Sequence, residues 1–275
     1  MIRRPPRSTL DRSSAASDVY KRQSRHIDFK KYERKKPLYK FKSPGGTTRS
    51  LWKVSEKNEI RSLRKKLSKI QKFYIADGHH RYSAIENLNK KKNLNKNKKE
   101  KINLLAAIFD EHSVNILSFH RLAKFRNFNQ QKIIQALKKK FKLEKKLKFK
   151  NPCDPGSVMI YLNKTWYNVS LTSNKKLYTK YETDTDIVEK IMINSIIKKQ
   201  CNCSLVNLSN IPGKFDHKKL ANEVDKGSAD IGFFICPLPM KKIMSIADKG
   251  KIVPKKSTYF DPKPADGLVN LLMDI

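Results

Sequence analysis

Apolar residues in this chain come in short runs broken by charge, and that pattern limits its fold more than any other feature. The run Ile231 to Cys236 stops at Pro237, far below the roughly 20 residues a membrane helix needs. With 38% of its 275 residues hydrophobic, the chain still has material for one large domain or two small ones with real cores. The expectation is a soluble, cytoplasmic protein and not a disordered tail.

Periodicity divides the runs between strands and helices. Ser24 to Phe41 has no clear period and reads as extended, and Ser43 to Gly46 reads as a turn. A strand is expected over Ser50 to Val54, then a helix over Glu56 to Ile70 with Ile60, Leu63, Leu67 and Ile70 on one face. Phe73 to Ala76 reads as a short strand, and His79 to Leu88 as a helix with Tyr82, Ile85 and Leu88 on one face. Lys90 to Lys101 is a lysine and asparagine run expected as a solvated linker. Strands follow at Leu104 to Phe109 and Asn115 to Phe119, a basic helix at Gln130 to Phe141, and a hairpin pairs Val158 to Leu162 with Trp166 to Leu171 across Asn163-Lys164. Asp186 to Ile197 and Met240 to Lys249 read as helices around the strand Ile231 to Cys236. Strands and helices interleave without strict alternation, so the class is α+β.

The formal net charge is +36, which on its face resembles a nucleic-acid footprint. No arginine follows Arg126, however, and lysine lacks the planar fork that reads bases and phosphates. Lysine, asparagine and isoleucine are the residues an AT-rich genome encodes by default, so codon bias is the favoured source of the charge. The four cysteines, Cys153, Cys201, Cys203 and Cys236, are too few for a secreted disulfide framework and lack zinc-knuckle spacing. Reduced, mostly buried thiols are expected, with no metal. Residues 1–23 are Arg- and Ser-rich but carry Asp11 and Asp18 and no amphipathic face, which argues against a transit peptide. They resemble a translated cloning-adapter leader and are set aside as foreign and disordered, with the natural N-terminus expected to be missing.

The stretch Tyr74 to Ala84 carries the most chemistry: an apolar strand, the Asp77-Gly78 break, then a helix opening with His79, His80 and Arg81. First-turn amides have no intrahelical acceptor and the helix dipole is positive there, which makes an anion site. Gly78 lets backbone approach a phosphate, Arg81 can grip two of its oxygens, and His79 or His80 can exchange a proton. Asp77 is placed to cap the helix or to hold a magnesium ion. The plainer alternative is a cap, a surface pair and two packing histidines, but a surface helix has no need of three such residues in succession. Adjacent helical positions diverge by about 100°, which argues against a two-histidine metal site.

Three motifs in order, Ile75 to Ala84, Phe119-His120-Arg121-Leu122, and Lys256 to Pro264 with Gly267-Leu268, resemble family 1015 of the domains of unknown function. Gly45 to Val54 fits the segment before the histidine motif, so the resemblance spans residues 24–275. The resemblance implies a ParB/sulfiredoxin-like mixed sheet with helices, followed by a C-terminal α+β portion. It divides the chain into 24–125, with the Asp77 to Arg81 motif, and 126–275.

In that superfamily, which includes nucleotide-binding partition proteins, sulfiredoxins and free-serine kinases, the strand-turn-helix holds a nucleotide phosphate. The implied cofactor is ATP, ADP or CTP with Mg2+. The implied partner is a nucleotide or phosphorylated small molecule, and the implied role a serine-kinase-like phosphotransferase. Catalytic candidates are Asp77, His79 and His80; phosphate-binding candidates are Gly78, Arg81, His120, Arg121, Lys256, Ser257 and Thr258. Lys255 to Thr258 has no glycine-rich approach and is not a P-loop. His120 and Arg121 are expected at a strand end facing the pocket. Family members carry a segment before the equivalent of Ser24, so a carboxylate supplied from there is expected to be absent. The alternative function is a ParB-like DNA-associated protein using the lysine-rich surface, and the residues leave open whether the chain is an enzyme.

Overall fold

A computed structural model describes residues 17–21, 29–43, 46–94, 102–151, 155–261, 263 and 268–271. Cys153, Pro44, Gly45, Pro262, Pro264, Gly267 and most of the expected linker after Leu94 lie outside the described residues. The chain forms two units, 1–114 with 263–275, and 115–262. The division therefore falls between Val114 and Asn115, ahead of the boundary expected between residues 125 and 126.

The first unit contains β1 (Ser17–Lys21), α1 (Lys30–Glu33), β2 (Tyr39–Lys42), β3 (Thr48–Leu51), α2 (Lys57–Leu67), β4 (Phe73–Asp77), α3 (His79–Leu94) and β5 (Ala106–Asp110). Strand β1 lies at the centre of a three-stranded sheet, antiparallel to β4 and parallel to β5, with Val19 opposite Ile75 and Ile108. Five residues set aside as disordered leader therefore hold the sheet's middle position. Their backbone is the partner to which both β4 and β5 are hydrogen-bonded in this sheet. The segment read as extended to Phe41 contains α1, whose Tyr32 is buried beneath the Lys31 ammonium.

Strands β2 and β3 form a separate hairpin, and the expected strand at Ser50 to Val54 stops at Leu51. Trp52 beyond it donates its indole N–H to the Lys35 carbonyl at 2.8 Å. Helix α2 matches the expected span, but none of its residues is fully buried. Helix α3 runs past Leu88 to Leu94, and Tyr82 and Leu88, expected on a packing face, are exposed. Its anchor is Asn89, whose side chain accepts the Ile102 N–H at 2.7 Å and donates to the Ile102 carbonyl.

The second unit contains β6 (Asn115–Arg126), α4 (Gln130–Lys138), β7 (Lys142–Lys146), β8 (Ser157–Leu162), β9 (Thr165–Ser170), α5 (Lys175–Tyr178) and α6 (Asp184–Asp186) with its continuation Ile187–Gln200. It ends with β10 (Ser204–Pro212), α7 (His217–Asp225), β11 (Ile231–Ile235), α8 (Met240–Asp248) and β12 (Thr258–Asp261). Its sheet runs β10-β6-β11-β8-β9-β7 with β12 also on β6, all antiparallel. The expected hairpin is present, with Asn163 and Lys164 both at positive φ, as a tight two-residue turn requires.

Side chains alternate between two buried clusters, one on each face of this sheet. Val158, Ile160, Leu162, Ile231, Phe233 and Ile235 join α4 and residues 187–203 in the larger. Met159, Tyr161, Trp166 and Phe234 join Leu220 and Val224 of α7 in the smaller. Burial on both faces explains why Ile231 to Ile235 is continuously apolar instead of alternating. Gly232 lies directly under Leu220, where a Cβ would collide with it, so the glycine sets how closely α7 can approach.

Residues Ile187–Gln200, expected as an ordinary helix, wind in wide π-type turns, and the Cys201 amide donates to Ile196 five residues back at 2.9 Å. The buried doublets Ile187-Val188, Met192-Ile193 and Ile196-Ile197 recur at five and then four residues, a spacing too long for the 3.6-residue α period. Wider turns bring all three doublets onto the core. The structure is α+β, and among the described residues no helix is long and apolar enough to cross a membrane. Cys201, Cys203 and Cys236 are buried.

Candidate functional site

Strand β4 ends at Asp77, and Gly78 takes φ +84, a left-handed conformation that a side chain would strain. That turn reverses the chain directly into α3, whose Tyr82 N–H donates to the Gly78 carbonyl at 3.0 Å as the first intrahelical bond. Gly78 itself is buried, while His79 and His80 are exposed and Arg81 is half-buried. The helix mouth thus presents two imidazoles to solvent, with first-turn amides that have no acceptor within the helix.

Asp77 does not cap the helix from its second or third amide. Its Oδ1 accepts the N–H of Gly78 at 2.9 Å, and its Oδ2 accepts the Lys263 ammonium at 3.1 Å. Partial burial pushes the carboxyl upward, but Lys263, the Gly78 amide and the nearby Arg81 guanidinium together outweigh it and hold the group below the ordinary aspartate value. Asp77 is therefore an ionised carboxylate set among cations. The Lys263 carbonyl accepts from Arg49 at 3.4 Å, which ties β3 to the same segment.

Lys263 was not among the expected site residues, although it belongs to the third motif. The signal lay in Pro262 and Pro264 on either side of it, since prolines fix an extended backbone that delivers one side chain. The expected candidates of that motif, Lys256, Ser257 and Thr258, belong to the second unit, as do His120 and Arg121.

In that unit, β6 continues past the expected end at Phe119 to Arg126, which carries His120 and Arg121 into the sheet. Arg121 is 1% exposed. Its Nε donates to Glu189 at 2.7 Å, Nη1 to the carbonyls of Phe119 at 3.0 Å and Lys256 at 2.9 Å, and Nη2 to the Lys255 carbonyl at 3.3 Å. As placed, its fork is engaged by protein acceptors and pins the 255–256 turn, where Lys256 sits at φ +55 with its ammonium over the Phe119 ring. His120 is 2% exposed, stacks on Phe234 at 3.7 Å, and accepts the Ile235 N–H on Nδ1 at 3.2 Å. Burial, reinforced by the Arg121 charge, lowers it to about 3, so it is a neutral imidazole inside the fold. Neither residue lies at a strand end, since β6 extends on both sides of them. Leu122 packs into the smaller cluster and Ala123 and Phe125 into the larger, so the strand is buried on both faces well past Phe119.

Thr258 opens β12 opposite Ser118, and Ser257 just before it is buried. Neither of two charged residues of this unit, Glu189 and Asp184, was anticipated. Glu189 lies in the segment read only for its helical period, Asp184 lies just ahead of it, and no local motif marks either.

Residues 19–193, more than half of the chain, match the family described as "Protein of unknown function (DUF1015)", and the chain belongs to that family. The match begins inside β1. No curated protein matches the chain. Solved structures similar to it at low identity include the following three. One is a conserved hypothetical protein from Pyrococcus furiosus, 16% identical with a TM-score of 0.40 over 71% of this chain and 73% of that one. Another, a free serine kinase in complex with AMP, is 15% identical with a TM-score of 0.39 over 79% and 86%. The third, SbnI with a C-terminal truncation from Staphylococcus aureus, is 15% identical with a TM-score of 0.42 over 79% and 82%.

Proposed function

We propose that this DUF1015 protein binds a nucleotide or a phosphorylated small molecule at the mouth of α3 and acts there as a phosphotransferase of the ParB/sulfiredoxin-like kind. The observation that carries the reading is the geometry of the turn. Gly78 at φ +84 turns the chain straight from β4 into α3, so that the first-turn amides, His79, His80 and Arg81 follow directly on Asp77, which is held ionised between Lys263 and the Gly78 amide. Phosphoryl transfer asks little covalent chemistry of a protein; it needs charge neutralisation and alignment.

In this reading Arg81 takes two phosphate oxygens, the helix amides take a third, and Lys263 adds a movable positive charge. His79 or His80, both open to solvent, passes the proton of the attacking hydroxyl. A magnesium ion fits the donor set only in part, because Mg2+ takes one or two carboxylates and completes its shell from phosphates and water. Asp77 is the residue that would hold it; bound, the ion would neutralise developing phosphate charge.

The test is nucleotide-dependent stabilisation. Ligand at about 100 times its Kd adds roughly 2.7 kcal/mol to the state that binds it. ATP, ADP or CTP is therefore expected to raise the melting temperature of the full chain in proportion to the logarithm of its concentration. A flat response to all three and to O-phosphoserine, with Mg2+ present, would remove the proposal.

A further inference from the structure

The second unit contains a cavity of about 320 Å³ that the α3 site does not involve. Its wall is formed by Tyr178, Tyr181, Glu182 and Asp184, from the end of α5 to the start of α6, and by Lys242 and Lys249 of α8 and its exit. At about 30 Å³ per water molecule, it has room for roughly ten waters or one small metabolite.

Its rim is cationic. The Glu182 carboxylate is approached by Lys251 at 2.7 Å, Lys242 at 3.4 Å and Lys249 at 4.0 Å, so three ammoniums share one negative charge. Two of them, Lys242 and Lys249, line the cavity directly. The base is different. Asp184 is 7% exposed, its Oδ2 accepts the Gly156 N–H at 2.7 Å, and Tyr178 hydrogen-bonds to it. Burial raises its carboxyl to about 6 in spite of the Gly156 amide, Lys242 and Tyr178. Thr183 beside it is occupied as the cap of α6, donating to Asp186 at 2.8 Å and accepting the Asp186 N–H. Asp184 and Thr183 also line a smaller pocket with Ser257, whose hydroxyl is 4% exposed and has no hydrogen-bond partner among the described residues.

A buried carboxylate with one amide and one phenol is only partly satisfied, since an ionised carboxylate has about four acceptor sites. A surface ion network around Glu182 alone would not need it there. We propose that this cavity is a binding site for a small organic anion, phosphorylated or carboxylated, whose anionic end lies against Lys242 and Lys249 and whose hydroxyl or ammonium end donates to Asp184. An anion of this class complements both ends at once. A neutral sugar would leave the lysines unmatched, and a cation would be repelled at the rim.

The experiment is calorimetric titration of the full chain with glycerol 3-phosphate, malate, inorganic phosphate and glycerol. Glycerol 3-phosphate or malate is expected to bind one to one and more tightly than inorganic phosphate, with no binding of glycerol. The double variant Lys242→Gln, Lys249→Gln is expected to weaken binding at least tenfold while unfolding at the parent's urea midpoint. Asp184→Asn is expected to reduce the preference for the organic anion over inorganic phosphate. With the α3 site disabled by Arg81→Ala, one equivalent of glycerol 3-phosphate or malate should still bind, which separates this site from the one on α3. Absence of binding by both organic anions, equal binding in the lysine double variant, inorganic phosphate bound as tightly as either organic anion, or no remaining binding of either organic anion in Arg81→Ala would each overturn the proposal.

Discussion

Two groups of basic and imidazole side chains in this molecule are built from the same residue types and placed in opposite environments. In the second unit His120 and Arg121 lie inside a seven-stranded sheet with both faces covered, and each is nearly inaccessible. In the first unit His79, His80 and Arg81 open a helix on a three-stranded sheet, and both imidazoles are exposed. The difference lies in how much apolar surface surrounds them. The second unit assembles two buried clusters, whereas Tyr32, Tyr74 and Val114 are the fully buried apolar residues described in the first. A charge inside a dense core must be matched by protein acceptors, as Arg121 is by Glu189 and three carbonyls. At the thinly covered helix mouth, His79 and His80 are instead exposed to solvent.

Breaking each pair sharpens that contrast. Arg121→Met is expected to lower the stability of the second unit by about 3–5 kcal/mol, because it removes a buried partner and strands the acceptors around it. Urea unfolding followed by the fluorescence of Trp166, buried in that unit, measures it. A loss below about 1 kcal/mol would mean that the guanidinium is not holding the 255–256 turn.

The next effect is in pH. His120 has its native value lowered from 6.5 to about 3, so its contribution is complete above pH 6.5 and falls away as pH drops below that. Asp184 has its native value raised from 3.8 to about 6, so its contribution is complete below pH 3.8 and is lost as pH rises toward 6. Between about pH 4 and 6 the two slopes, each near 1.4 kcal/mol per unit, oppose one another. Asp184→Asn keeps an acceptor for the Gly156 amide but removes one slope. Relative to the parent, that variant should therefore lose about 2 kcal/mol more stability on going from pH 6 to pH 4. Parallel stability curves for parent and variant would show that Asp184 does not titrate inside the fold.

The smallest expected change is at the exposed pair. Lys263→Met is expected to alter stability by less than about 1 kcal/mol, as is usual for an ion pair whose members are each about half exposed. The same variant should let the Asp77 carboxyl titrate higher, since burial pushes it up and Lys263 is the main group opposing that push. Carboxyl carbon NMR reads this directly, and an unchanged titration would place Lys263 away from Asp77 in solution.

Much of this organisation can be read along the chain where local period and burial agree. The hairpin across Asn163-Lys164, the strand Ile231–Ile235 and the start of α3 at His79 follow from turn chemistry and apolar spacing. Period alone misplaces what depends on distant partners. β6 runs to Arg126 because β10 and β11 flank it, and the doublets of Ile187–Gln200 wind wide because the core face demands all three. β7, with sequence Lys-Leu-Glu-Lys-Lys, has almost no strand signal and forms against β9. At the α3 site the Asp77 to Arg81 run is visible locally, whereas Lys263 reaches Asp77 from 186 positions away and could be found only through the prolines beside it.

The central claim is that Arg81 and the first amides of α3 hold phosphate, and titration of ATP into the full chain and into Arg81→Ala measures it most directly. Loss of a charge-assisted hydrogen bond is worth about 1.5–3 kcal/mol, so the variant should bind at least tenfold more weakly while unfolding at the parent's urea midpoint. Equal affinity for ATP in parent and variant would contradict the claim.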